Sequence, residues 1–284
     1  MKLLRFRHAG KVDSGVLTPD GVIAFSEIAA RRGPMPKSLL ELIQSGDLSP
    51  LEDLRGIPAI PPSETAPLLP YAVPPKIWCI GLNYKSHAED INAVQPDEPG
   101  SFMKPASCLF EPGGNIVLPP HEVSADVDAE GELGVIIGRR CRFVPREHVR
   151  DVIFGYTTTL DLTALDVLAR NTRYLTRAKS IDTFFSFGPV IVTADEVGEV
   201  EPLEVVTEHN GAVWSRDFVR NMRHLPAELV RFHSDYFTLE PGDLISTGCP
   251  KGARIKDGDR VRSRIDGVGS LEARVTQGAR VPLF

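Results

Sequence analysis

The stretch VDAEGELGVIIG, residues 127–138, places two glutamates at the start of an apolar run. Four acidic residues here alternate with small or apolar ones: Asp126, Asp128, Glu130 and Glu132. Successive side chains of a β-strand point to opposite faces, so an extended chain places all four carboxylates on one face. Like charges in a row repel each other and are costly to desolvate, so either water screens them or a cation lies among them.

Two interpretations of this acidic stripe are open. Charged residues are typical of a solvated edge strand, where they discourage aggregation. A third carboxylate favours the cation, because Asp161 interrupts a β-branched and apolar run in IFGYTTTLDLTALD, residues 153–166. Three carboxylates that leave coordination positions open suit Mg²⁺, Mn²⁺ or Ca²⁺. We therefore predict Glu130, Glu132 and Asp161 as metal ligands, and we expect Asp126 and Asp128 to be solvated.

The overall composition excludes several classes of protein. The chain has 284 residues, of which 42% are hydrophobic and 25% charged, which is typical of soluble globular proteins. A net charge of -6 argues against binding to nucleic acid or to anionic membranes. The sequence contains no apolar stretch long enough to span a bilayer and no signal-peptide core at its start. We expect a cytoplasmic protein that acts on a small molecule.

The cysteines suggest neither a zinc site nor a disulfide framework. They are widely spaced and form no Cys-x-x-Cys pair: Cys79, Cys108, Cys141 and Cys249. Free thiols are therefore expected.

A proline-rich stretch divides the chain. Residues 57–76, IPAIPPSETAPLLPYAVPPK, should be stiff and extended, so we interpret them as a linker. We predict a small N-terminal α+β domain over residues 1–70 and a catalytic domain over residues 71–284. Short strand candidates separated by turns dominate the second part, and helical periodicity is limited to segments such as PAELVRFHSDYF. The pattern lacks a βαβ rhythm, so we expect an α+β, mostly β fold, a largely antiparallel sandwich or roll.

Three further segments carry candidate chemistry. In KIWCIGLNYKSHAED, residues 76–90, His87 and Asp90 are three apart, which places them on one helix face. A histidine oriented by a carboxylate can activate water, although an incidental surface ion pair gives the same pattern. Lys179 precedes an aromatic run and could hold an anionic oxygen or simply lie at the surface. The turn at Thr247 and Gly248 could offer backbone N–H groups to an oxyanion.

Taken in order, these segments resemble the fumarylacetoacetate hydrolase family. The likeness spans residues 77–271 and rests on seven stretches: IGLNYKSHAED, SFMKPASCLFEPGGNIVLPP, VDAEGELGVIIGRR, GYTTTLDLTALD, KSIDTFFSFGPVIVT, EHNGAVW and LEPGDLISTGCPKG. The resemblance implies a homodimer built on a mixed β-sandwich roll, with Mg²⁺ or Mn²⁺ held by Glu130, Glu132 and Asp161. It also implies His87, Asp90 and Lys179 as catalytic residues. The substrate-binding residues that it implies are Tyr84, Lys104, Thr247 and Gly248.

The activity implied is a metal-dependent hydrolysis of a carbon–carbon bond in acylpyruvate-type 2,4-dioxo acids. His87 would activate the water, and the metal and Lys179 would stabilise a pyruvate enolate. Two alternatives remain open. The same site could act as a lyase or isomerase on 2-oxo acids, as in decarboxylation of oxaloacetate-type acids or hydration and dehydration of 2-oxo-3-deoxy sugar acids. A non-catalytic paralogue is the third interpretation.

Three residues depart from the family pattern. Asp90 stands where the family usually has glutamate, so its carboxylate is one methylene shorter. Leu165 replaces the arginine of the family's NDVSARD, which here becomes LDLTALD, and this puts acylpyruvate specificity in doubt. Cys249 replaces a common threonine. The polar segment after His87, residues 88–100, is expected to close over bound substrate as a lid.

Overall fold

The computed structural model describes residues 1–90 and 92–279, and strands dominate it. The strands are β1 (Lys2–His8), β2 (Lys11–Thr18), β3 (Gly21–Ala24), β4 (Ala66–Leu68), β5 (Ile77–Gly81), β6 (Gly100–Met103), β7 (Asn115–Leu118), β8 (Val127–Ile137), β9 (Ile153–Ala164), β10 (Phe185–Phe187), β11 (Val190–Thr193), β12 (Glu204–His209), β13 (Ala212–Phe218), β14 (Leu244–Ser246), β15 (Ala253–Ile255), β16 (Arg260–Ile265) and β17 (Gly269–Gln277). The α-helices are α1 (Phe25–Arg32), α2 (Leu39–Ser45), α3 (Lys85–Asp90), α4 (Val149–Val152), α5 (Leu165–Arg170), α6 (Leu175–Lys179), α7 (Ala194–Val197) and α8 (Pro226–Tyr236). The α+β, mostly β prediction is confirmed.

The strands form two sheets that pack face to face. The larger sheet has the order β3-β2-β1-β11-β9-β8-β14-β5-β6, and β4, β10 and β15 pair with β1, β9 and β8. The smaller sheet has the order β13-β12-β16-β17-β7. Most pairs are antiparallel, but β14–β5 and β17–β7 are parallel, so both sheets are mixed. This is the sandwich roll expected from the sequence.

The long antiparallel pair β8–β9 lies at the centre and separates an apolar face from a polar one. Along β8, Val127, Ala129 and Leu133 belong to the apolar cores, together with residues of the smaller sheet. Gly131 allows a close approach of the sheets, because a Cβ there would lie 2.7 Å from Thr207 Oγ1. The intervening carboxylates therefore lie on the opposite face, as the alternation predicts.

Local sequence signals account for several element boundaries. Ser38 caps α2 by accepting a hydrogen bond from the N–H of Glu41, and Gly46 ends the same helix in the left-handed conformation. The turn between β12 and β13 contains Asn210 and Gly211, both with positive φ, as a tight hairpin requires. The predicted helix at PAELVRFHSDYF is α8.

The N-terminal segment shares its sheet and its core with the rest of the chain. Strand β1 pairs with β11, and part of the predicted linker forms β4, which also pairs with β1. The interpretation of residues 57–76 as a linker throughout is therefore wrong, since the chain at Ala66–Leu68 returns to the sheet edge. One continuous cluster joins Leu3 and Leu42 to Phe185 and Leu244. The division into a small domain over residues 1–70 and a catalytic domain over residues 71–284 stays a prediction.

Replacing Leu3 should test this shared core. Leu3 lies opposite Ile191 across the β1–β11 pair and is 0% exposed. We expect Leu3→Ala to lower the free energy of unfolding by about 2–5 kcal/mol, because it leaves a cavity between the two segments. Urea denaturation measures this loss. The control Val12→Ala changes a side chain that is 46% exposed on β2 and should shift stability by less than about 0.5 kcal/mol. Equal effects of the two changes would contradict a shared core.

Candidate active site and metal centre

The centre of the site is set by the register of β8 and β9. Glu130 lies directly opposite Asp161, and Glu132 lies two residues further along the same face, opposite Thr159. Carboxylate oxygens of Glu130, Glu132 and Asp161 lie within 4.8 Å of one another, and all three side chains are buried. The structure therefore brings the predicted metal ligands together.

Two buried lysines compensate most of this charge. Lys179 Nζ donates to Glu130 Oε2 and Asp161 Oδ2, each at 2.9 Å. Lys104 Nζ donates to Asp161 Oδ1 and, at 3.1 Å, to the carbonyl of Leu162. Lys104 was predicted to bind substrate, and the structure places its ammonium group against Asp161.

Glu132 is the carboxylate without an ammonium partner among the described residues. Lys104 and Lys179 pair with Asp161 and Glu130, whereas burial raises the pKa of Glu132 to about 8, with repulsion from Asp161 and Glu130 acting in the same direction. Burial also opposes the ionisation of Glu130, but Lys179 and His87 outweigh it and hold the pKa of Glu130 low. The raised pKa favours the protonated form of Glu132 while no cation is bound, and a hard divalent cation among the three carboxylates would take the place of that proton.

Sequence reasoning missed several residues that hold the carboxylates. The hydroxyls of Ser246 and Thr163 donate to Glu132 Oε2 and Glu130 Oε1, both at 2.5 Å. Thr163 follows Asp161 by two residues and so lies on the same face of β9, which is a signal that the alternation contained. Ser246 comes from β14, and only the sheet order places it beside β8.

His87 lies beside the carboxylates, and its Nδ1 makes no hydrogen bond to the described residues. It belongs to α3 and is 9% exposed, and its Nδ1 has no partner among the described residues. A ring nitrogen of His87, an oxygen of Glu130 and Cys249 Sγ lie within 4.8 Å of one another. Burial lowers the pKa of His87, although the charge of Glu130 opposes it. A neutral imidazole in this position can accept a proton.

The predicted pairing of His87 with Asp90 is wrong. Asp90 Oδ1 lies 2.6 Å from Lys251 Nζ, in the loop after Cys249. The short aspartate side chain therefore pairs with a partly exposed lysine, and its effect on His87 is limited to its charge.

The donors predicted at the strand end are already engaged. Thr247 Oγ1 donates to the carbonyl of Leu133 at 2.9 Å, and the N–H of Gly248 donates to Glu132 Oε2 at 2.9 Å. The expectation of exposed N–H groups at this turn is wrong, because the N–H of Gly248 donates to Glu132 and the N–H of Thr247 donates to the carbonyl of Leu133. Tyr84 is fully buried, and its hydroxyl has no hydrogen-bond partner among the described residues.

The expectation of a solvated Asp128 is also wrong. Asp128 is 0% exposed, and Arg254 Nη1 donates to its Oδ1 at 2.7 Å. Burial, only partly offset by Arg254, raises the pKa of Asp128 to about 6. Arg254 Nε also lies 2.9 Å from Asp126 Oδ1, and Asp126 is the more exposed of the two acids. The alternation along β8 predicted the face on which Asp128 lies. It did not predict that β15 pairs with β8 at this position and brings Arg254 against the Asp128 carboxylate.

Two other expectations concern the rim of the site. Leu165, where the family pattern has arginine, is the first residue of α5, and its N–H donates to the carbonyl of Asp126. The predicted lid at residues 88–100 begins in α3, and Ile91 lies outside the described residues. Further along, Arg223 Nη2 donates to Asp97 Oδ1 at 2.7 Å. Closure of this segment over a ligand stays a prediction.

A two-sheet sandwich with three buried carboxylates and an adjacent histidine defines a class of metal-dependent enzyme sites. The family described as fumarylacetoacetate (FAA) hydrolase C-terminal matches residues 76–276. The chain belongs to the fumarylacetoacetate hydrolase family, as the sequence motifs indicated.

Three relatives show the range of reactions in this family. Mitochondrial oxaloacetate tautomerase FAHD2A of Bos taurus is 33% identical over 97% of this chain and 91% of the relative. The 2,4-didehydro-3-deoxy-L-rhamnonate hydrolase of Sphingomonas sp. (strain SKA58) is 32% identical over 98% of this chain and 96% of the relative. The solved structure of maleylpyruvate hydrolase from Sphingobium sp. SYK-6, in complex with manganese(II) and pyruvate, superposes with a TM-score of 0.82 at 31% identity. This superposition covers 98% of this chain and 100% of the other chain.

None of the helices formed by the described residues has the length and apolar character needed to cross a membrane.

The turn that supports Glu132 should tolerate no side chain. Gly248 has φ +94°, and an added Cβ would lie 2.9 Å from Asn83 Cβ and 3.1 Å from the Ile80 carbonyl oxygen. We expect Gly248→Ala to lower the free energy of unfolding by about 1–2 kcal/mol for the left-handed backbone, plus about 1–3 kcal/mol for the crowding. Urea denaturation measures the total.

Gly267→Ala is the matched control for this prediction. Gly267 has φ +84° and nothing within 4 Å of the added Cβ, so this change should show only the backbone contribution. Equal losses at the two positions would contradict the close packing around Gly248.

Proposed function

We propose that the chain is a divalent-metal-dependent hydrolase that cleaves a carbon–carbon bond in acylpyruvate-type 2,4-dioxo acids. The observation that carries this proposal is the buried imidazole of His87, free of hydrogen bonds to described residues, beside three buried carboxylates. The solved maleylpyruvate hydrolase, which contains manganese(II) and pyruvate, supports the same class of substrate and cofactor. The implied homodimer and the cytoplasmic location remain predictions.

Glu130, Glu132 and Asp161 would hold Mg²⁺ or Mn²⁺. When bound, such a cation supplies Lewis-acid polarisation of the carboxylate and keto oxygens of a 2-oxo acid. Glu132, which is buried and has no ammonium partner among the described residues, would lose its proton to that cation.

His87 would act as the base in the proposed reaction. Its neutral imidazole accepts a proton from water, and the resulting hydroxide attacks the carbonyl group distal to the 2-oxo acid. Breaking the adjacent carbon–carbon bond then gives a carboxylic acid and an enolate, which is protonated to the 2-oxo acid. Burial of the site limits competing access of bulk water.

Lys179 would stabilise the enolate charge. Two of its three N–H donors bind Glu130 and Asp161, and the third has no acceptor among the described residues. A fixed ammonium group that is 6% exposed stabilises a developing negative charge more effectively than the same group in water.

Removal of the base tests the assignment of His87. We expect His87→Ala to lower kcat for an acylpyruvate by at least about 10²-fold, the usual minimum for general-base catalysis, while Mn²⁺ binding persists. Steady-state kinetics and calorimetry measure the two quantities. The control His148→Ala, at an exposed histidine paired with Asp151, should leave both unchanged. Full activity of His87→Ala would reject the assignment.

A tautomerase or lyase acting on 2-oxo acids is the second candidate. It is favoured by the absence of the expected His87–Asp90 hydrogen bond, since simple proton transfer demands less of the base than water activation. The bovine oxaloacetate tautomerase supports the same alternative. Products separate the candidates. Hydrolysis consumes water and yields two acids, decarboxylation releases CO₂, tautomerisation leaves the composition unchanged, and hydration or dehydration changes it only by water.

Oxalate tests the cation site and the 2-oxo acid pocket together, because it resembles a pyruvate enolate. We expect calorimetry to detect oxalate binding with excess Mg²⁺ or Mn²⁺ and none after EDTA treatment. Glu132→Gln should weaken metal-dependent binding by about tenfold or more, since it removes a charged ligand. Glu122→Gln, at an exposed residue outside the site, is the control. Binding that is equally strong without metal would contradict the proposed cofactor.

A further inference from the structure

A second group of candidate ligands shares Glu130 with the first. It consists of a ring nitrogen of His87, an oxygen of Glu130 and Cys249 Sγ, which lie within 4.8 Å of one another. All three side chains are buried, with His87 9% and Cys249 1% exposed. Glu132 and Asp161 belong only to the first group, and His87 and Cys249 only to the second.

The two groups differ in chemical character. Three carboxylates are hard oxygen ligands and suit Mg²⁺ or Mn²⁺. A thiolate, an imidazole and a carboxylate are instead the ligands of Zn²⁺ and similar thiophilic cations, which take three protein ligands and leave a fourth position for water. Typical Zn–S and Zn–N bonds are about 2.3 and 2.0–2.1 Å, so side-chain shifts of about 1 Å would close the site around one ion.

The hydrogen bonding of His87 and Cys249 leaves them available as ligands. His87 Nδ1 is buried and has no partner among the described residues, and a buried imidazole normally makes such a bond. The described contacts contain no hydrogen bond to Cys249 Sγ either. The spacing of the cysteines gave no sign of this arrangement, because Cys249 meets His87 only through the packing of the strand-end loop against α3.

We propose that His87, Glu130 and Cys249 form a second cation site, selective for Zn²⁺ or a similarly thiophilic divalent ion, at which the ion inhibits the enzyme. Binding breaks the S–H bond of Cys249, releases its proton to solvent and forms a metal–thiolate bond. The bound ion coordinates a ring nitrogen of His87, so that nitrogen can no longer accept a proton. Glu130 belongs to both sites. Binding at this site does not depend on the proposed function, whereas inhibition rests on the role of His87 as base.

Co²⁺ is a direct probe of this site, because a cobalt–thiolate bond gives a charge-transfer absorption band in the near ultraviolet. We expect the wild-type protein to develop the band when Co²⁺ is added, and the band to saturate at one thiolate-bound Co²⁺ per chain. Glu132→Gln should keep the band, since that residue belongs only to the carboxylate group. Cys249→Thr should abolish it. Cys141→Ser, at a partly exposed cysteine outside the site, should leave it unchanged.

A second measurement tests whether His87 binds the ion together with the Cys249 thiolate. His87→Ala should weaken Co²⁺ affinity measured through the band by about tenfold or more, while Mn²⁺ binding at the carboxylates persists. Circular dichroism and thermal unfolding check that each variant is folded, and Cys249→Ser replaces Cys249→Thr should the latter fail to fold.

Inhibition is measured with saturating Mn²⁺ present. Zn²⁺ should inhibit the wild type at concentrations at least about tenfold lower than it inhibits Cys249→Thr. No thiolate band in the wild type, or a band that survives Cys249→Thr, would overturn the proposed site. Equal inhibition of the two proteins by Zn²⁺ would overturn its inhibitory role. Loss of metal-dependent oxalate binding would instead count against the proposed function and leave the cobalt result standing.

Discussion

The antiparallel register of β8 and β9 is the constraint on which the site depends. It sets Glu130 opposite Asp161 and brings Glu132 onto the same face, so three carboxylates share a space from which water is largely excluded. Such an arrangement is unfavourable unless positive charge compensates it. Lys179 and Lys104 provide that charge for Glu130 and Asp161, while hydroxyl donors from β9 and β14 and the N–H of Gly248, in the turn after β14, satisfy further oxygens. Glu132 has no ammonium partner among the described residues, and this leaves the cluster open to a cation.

The packing of the two sheets explains why this register is rigid. Apolar residues alternate with the carboxylates along β8 and fill the space between the sheets. A slip of one residue would move the carboxylates into that apolar layer and expose the apolar side chains. The close contact at Gly131 fixes the separation of the sheets at the same level as the site. Fold stability and site geometry therefore depend on the same strand.

The site contains two groups of candidate ligands that share Glu130. The first group consists of three carboxylates, which are hard oxygen ligands, beside two lysines. The second group adds a ring nitrogen of His87 and the sulfur of Cys249. The named relatives include a tautomerase and hydrolases, so the reaction varies within the family. Asp90, Leu165 and Cys249 are where this chain departs from the family pattern, and Asp90 pairs with Lys251.

The sequence by itself determined the strand pattern, the helix α8, the family and the three carboxylates. These features depend on local periodicity, on turn residues with special φ values, and on charges out of place in apolar runs. Only the tertiary structure decided which donors reach those carboxylates, that Asp128 is buried under β15, and that Asp90 pairs with Lys251. It also decided that Cys249 meets His87 and Glu130. The physical reason is that burial and hydrogen bonding between distant segments depend on sheet order and loop packing, which local periodicity does not specify.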